Sequence, residues 1–136
     1  MTVEEAKEAL AYHSCGHEDI HSPRWERGFI GSLRTFTGTL NRDAMREMEV
    51  CLRVLAPMLQ EGYADSRELV TGFLYVIATG QHWAVAPESM LRRNKLISAE
   101  DIALLTSWLA EFSMAFAMIV EGMDTETAFE ILETKY

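Results

Sequence analysis

Apolar residues recur along this chain at intervals of three and four, punctuated by glycine, proline and short polar residues. That rhythm marks amphipathic helices rather than strands. Thr2-x-x-Glu5 forms a capping box ahead of a first helix predicted to run to about Ser14, with Gly16 as its left-handed stop. Ser22 and Pro23 read as the cap and first residue of a second helix, RWERGFIGSLRTF, which Gly38 ends. Asn41 caps a third, with Leu40 and Met45 as a hydrophobic staple, running toward Gly62 with a bend expected at Pro57.

The second half repeats the same grammar. Asp65-x-x-Glu68 is another capping box, opening an apolar helix that Gly80 is expected to close. QHWAVAP reads as a loop leading to a short helix from Pro87 to about Arg93. Ser98-x-x-Asp101 caps the longest apolar helix, about 99–121, which stops at Gly122, and Asp124 or Thr125 caps a final one. No alternating run exceeds about three or four residues. The expected fold is all-α: one domain over residues 1–136, a compact bundle of six or seven helices around the central apolar helix.

That central helix carries two stripes. At about 100° per residue, Ile102, Leu105, Leu109, Phe112, Phe116 and Ile119 share one side, and Ala103, Thr106, Ala110, Ser113 and Ala117 lie beside them. The bulky stripe is expected to fill the core, and the small one to let a second helix approach closely. Glu100, Ser107, Glu111 and Glu121 define the outward side, with the flexible apolar Met114 and Met118 among them. Met114, Met118 and Glu111 are therefore candidate interface residues. A bilayer span is not expected, because Glu111 at mid-membrane would cost about 2.5–3.5 kcal/mol and no Lys or Arg flanks the segment.

Composition narrows the function classes. The net charge of −9 is uneven: −4 over residues 1–21, +2 over 22–53, 0 over 54–97 and −7 over 98–136. Such a balance repels phosphate backbones, so no nucleic-acid partner is expected. Arg24, Arg27, Arg34, Arg42, Arg46 and Arg53 read as solvated or paired with the acidic ends. Two cysteines and an acidic N-terminal segment without a leader pattern favour a reducing, cytoplasmic home.

One stretch carries candidate chemistry. His17-Glu18-Asp19-Ile20-His21 resembles the zincin signature over these five residues. The resemblance implies His17 and His21 as zinc ligands and Glu18 as the general base. Gly16 before it and Ser22-Pro23 after it leave room for little more than one turn of helix, a poor scaffold for two ligands. The positions of the longer signature's glycine and third histidine hold Arg24 and Arg27. Glu47 and Glu49 are read as solvent-facing charges rather than further ligands. A broader metal reading groups His13, His17 and His21, spaced by four, around zinc or another divalent cation.

Two further features complete the reading. Trp25, Arg34, His82 and Trp83 are candidate lining for a small-molecule pocket, although Trp83 reads better as a core plug whose indole N–H finds a carbonyl. Cys51, between Val50 and Leu52, reads as an inert core thiol. The expectation is a non-catalytic interaction or regulatory module with no cofactor, binding another protein or itself as a homodimer. The alternatives are a metal-binding helical protein, possibly a hydrolase, and a ligand-binding domain.

Overall fold

The computed structural model describes residues 1–62 and 66–135. These residues form an all-α bundle: α1 (Val3–His13), α2 (Arg24–Arg27), α3 (Phe29–Arg34), α4 (Arg42–Glu61), α5 (Ser66–Gly80), α6 (Met90–Arg93), α7 (Ala99–Glu121) and α8 (Thr125–Lys135). No strand occurs among them. Several predicted caps do their expected work. Thr2 and Glu5 close the capping box on α1, the Asn41 carboxamide accepts from the Ala44 N–H at 3.0 Å, and Ser98 accepts from the Asp101 N–H at 3.1 Å. Left-handed Gly62 and Gly122 end α4 and α7. The Asp65 cap lies outside the described residues.

The predicted second helix is broken in two at Gly28, whose backbone is extended at φ −73° and ψ 172°. Packing explains the break. A Cβ on Gly28 would stand 2.8 Å from the Tyr12 carbonyl oxygen, and one on Gly31 would stand 1.9 Å from that of Trp25. Both glycines therefore let backbone approach backbone. Helix α3 ends at Thr35, and Gly38 lies in the turn beyond it at φ 112°. The turn after α1 also differs from expectation: Cys15, not Gly16, takes the left-handed conformation, at φ 58°.

Gly80 does not close α5. The chain continues through a π-helical turn, Gln81–Val85, before α6. Gly80 is helical and buried instead because Leu109 of α7 occupies the space a side chain would need, with Cδ1 2.8 Å from a Cβ position. The Arg92 guanidinium then ties α6 back by donating to the Val85 carbonyl at 2.9 Å.

Helix α7 is central, as its bulky stripe predicts. Leu105, Leu109, Phe112, Phe116 and Ile119 are buried, and Ile102 is half-buried. Phe73 of α5 packs on Phe112 and Phe116, while Trp108 stacks on Phe112 at 4.7 Å. Each such ring contributes about 1.5–3 kcal/mol when fully buried. The small stripe contradicts the expectation: Ala103, Thr106, Ala110 and Ala117 are exposed and Ser113 is half-buried, so no helix among the described residues covers it. Ser107 and Glu111, expected outward, are half-buried.

Candidate functional site

The three clustered histidines are not brought around one point. Residues 14–23 form no helix, so the spacing of four loses its helical meaning. The Gly16 and His17 N–H groups both donate to the Ala11 carbonyl, turning the chain back over α1. His17 consequently stacks on Tyr12, 3.9 Å between centroids and 8° from parallel. Its Nδ1 accepts from the Asp19 N–H at 3.0 Å, and its Nε2 stands 3.7 Å from Glu8. His21 and Glu18 are exposed. Among the described residues no group of three or more His, Cys, Asp or Glu side chains is placed to hold a metal ion. The zincin-like ligand set therefore does not assemble.

His13 has a different role. It is buried at the end of α1, and its Nδ1 accepts from the Phe29 N–H at 2.9 Å. That bond leaves the ring proton on Nε2 in the neutral imidazole. Nε2 is buried with Glu47 Oε1 facing it at 3.4 Å, a long contact rather than a well-formed hydrogen bond. His13, with a smaller contribution from Arg24, holds the Glu47 carboxyl below the usual carboxylate range against the opposing effect of burial. Neither ring nitrogen offers a free lone pair, so the neutral ring is not placed to act as a base.

Glu49, two residues further along α4, was also expected in solvent and is instead half-buried. It accepts the Trp108 indole N–H at 2.9 Å, and burial pushes its carboxyl above the usual range. A charge pattern within α4 carries no trace of a partner 59 positions along the chain. Arg53 meets the acidic C-terminal segment through Glu126 at 3.0 Å and also through Glu133. Cys51 is the expected core thiol, its pKa pushed up to about 12, chiefly by burial.

Of the four candidate pocket residues, Trp25, His82 and Trp83 do not line the cleft that Arg34 borders. Trp83 is a half-buried plug whose indole N–H donates to the Leu33 carbonyl at 3.0 Å. His82 is exposed, and Trp25 is half-buried in α2 with its carbonyl against Gly31. Only Arg34 reaches a sizeable cavity, a cleft of about 910 Å³ between α1, α3 and α5. Its apolar side includes Leu10, Ile30 and Leu69, and its polar side includes Lys7, Arg34 and Arg67. Cys15 lines it too; burial pushes its thiol up while Arg34 opposes the shift.

The outer face of α7 is the other conspicuous surface. Met114 is 51% exposed, while Met118 is half-buried against the core and seals its edge. Glu111 is half-buried. On α5, Leu74 follows the core residue Phe73 and is 51% exposed. By length and composition alone, Ser66–Arg93 and Ala99–Glu121 are apolar enough to cross a bilayer. Compared with protein-family models, curated proteins and solved structures, the chain matches none.

Proposed function

We propose that this chain is a non-catalytic interaction module that pairs with a second copy of itself through the outer face of α7. The observation that carries the reading is the position of the small stripe. Ala103, Thr106, Ala110 and Ala117 stand open to solvent on the most apolar helix of the fold. Small residues on a helix face let another backbone approach closely, and no helix of the described residues uses that opening.

Charge favours a second copy over a basic partner. Between Asp101 and Glu121 the only charged residue of α7 is Glu111, which lies to the side and is half-buried. Two copies meeting at this neutral strip keep their net charges of −9 away from the contact centre. With Met114 beside it, the strip runs about 35 Å along the helix, and surface on either side would have to join it to reach the roughly 800 Å² per partner of a standard interface. Two-fold symmetry makes such a contact self-complementary. The overall charge argues against a nucleic-acid partner, and the two unpaired cysteines suit a reducing, cytoplasmic home.

Sedimentation equilibrium over a concentration series tests the reading. A reversible monomer–dimer equilibrium is expected, with Ala110→Arg raising the dissociation constant by about tenfold or more because it buries an unpaired charge. A parent protein that stays monomeric at about 100 μM, far above micromolar affinity, overturns it. So does a monomer that instead partitions onto neutral phosphatidylcholine vesicles, since a lipid surface would then be the occupant of the face.

A further inference from the structure

We propose that the cleft between α1, α3 and α5 is a binding site for an amphiphilic organic anion, a carboxylate or phosphate on an apolar body, with Arg34 as its anchoring cation. The site is separate from the α7 face, so the two proposals stand or fall independently. Three helices each contribute a cation: Lys7 from α1, Arg34 from the end of α3 and Arg67 from the first turn of α5. Among the described residues neither Arg34 nor Arg67 has a carboxylate within ion-pair distance, whereas Arg24, Arg46 and Arg53 all do. Two guanidinium groups without a carboxylate partner thus border the same cavity.

Shape and wall chemistry specify the rest of the ligand. A volume of about 910 Å³ lies within the range of small-molecule sites. Leu10, Ile30 and Leu69 are buried core residues whose edges line the cleft, so its apolar side is rigid and shaped for hydrocarbon or an aromatic ring. Cys15 keeps a neutral thiol near neutral pH, adding soft apolar surface rather than a competing anion beside Arg34. Glu18 and Glu68 also border the cleft. Lys7 is also paired with Glu4, outside the cleft lining, so the positive character of the site rests on Arg34 and Arg67, in a chain whose net charge is −9. A guanidinium matches planar carboxylate and phosphate oxygens in bidentate geometry, and a nearby apolar wall adds affinity that a free inorganic ion cannot gain.

Isothermal titration calorimetry on the full chain, with decanoate, decyl phosphate, inorganic phosphate and decyltrimethylammonium below micellar concentrations, tests this. At least one of the two anionic amphiphiles is expected to bind with one-to-one stoichiometry, and comparing them assigns the head group. Inorganic phosphate and the cationic amphiphile should each bind about tenfold or more weakly, and Arg34→Gln should weaken the anion by about tenfold or more. Tyr75→Glu, placing a negative charge on an exposed cleft residue, should weaken it as well. Circular dichroism melts should show both variants folded like the parent. The proposal is overturned by absence of binding for both anionic amphiphiles, by equal affinity for the cationic one, or by undiminished binding in the folded Arg34→Gln protein.

Discussion

The imidazole of His13 accepts the backbone N–H of Phe29 across 2.9 Å, joining the last residue of α1 to the first of α3. Without that acceptor the Phe29 N–H is a buried donor at the break between α2 and α3. His13→Ala should therefore destabilise the fold by about 1–3 kcal/mol for the unpaired donor, with some added loss of packing. Urea denaturation should show a lower midpoint at an unchanged slope. His13→Asn, if its carboxamide oxygen reaches the same N–H, should recover part of the loss.

Two neighbouring carboxylates of α4 should give opposite pH signatures. Glu47 has a depressed folded pKa, so its contribution is present above the unfolded carboxylate value of about 4.3 and is lost as pH falls through the folded one. Glu47→Gln should lower stability at pH 7, with the deficit closing in acid. Glu49 has a raised folded pKa, so its favourable contribution is full below the unfolded value and disappears as pH rises through the folded one. Glu49→Gln, which keeps an acceptor for the Trp108 indole, should hold or raise stability at neutral pH. Denaturation midpoints of both variants at pH 7 and in acid check the pair.

Gly31 and Gly80 are both buried, but what faces them differs. An alanine methyl at position 31 meets the Trp25 carbonyl at 1.9 Å, which is backbone and cannot move without unseating α2. At position 80 it meets the ends of the Leu109 side chain at 2.8 and 3.0 Å. Gly31→Ala should cost more than about 3 kcal/mol, beyond ordinary overpacking. Gly80→Ala should cost about 2 kcal/mol or less, since Leu109 can shift and alanine improves helix propensity by about 1 kcal/mol. Equal losses in thermal or chemical denaturation would contradict this ranking.

The two thiols should be kinetically distinct. Cys51 is fully buried with a pKa pushed up to about 12, whereas Cys15 is half-exposed on the cleft. A thiol-disulfide reagent should label one equivalent in the native protein, faster as pH rises, and a second only on unfolding. Labelling of both at the same native rate would contradict the burial assigned to Cys51.

What the sequence makes legible here is local. Caps at Thr2, Asn41 and Ser98 and stops at Gly62 and Gly122 act within a few residues, so their chemistry is visible in a short window. The bulky stripe of α7 is equally local, because one helix decides it. Gly80 misleads because it is glycine for the sake of a neighbour distant in sequence, Leu109, rather than for its own turn. His13 hides its role for the same reason: its partners, Phe29 and Glu47, come from two other helices. The cleft around Arg34 needs α1, α3 and α5 together, and no spacing in the chain announces it.

The outward position of the small α7 stripe is the centre of the account, and oxidative cross-linking tests it most directly. Residue 110 is the midpoint of α7, so an antiparallel symmetric pair of these helices sets it near its own copy. In a Cys15→Ser/Cys51→Ala background, Ala110→Cys should form an intermolecular disulfide readily under mild oxidation, because the close approach brings Cα atoms within about 7 Å. Glu130→Cys, exposed on α8, should not. Cross-linking that is equally slow at both positions, in protein that remains folded, would contradict the assignment of this face as the place where two copies meet.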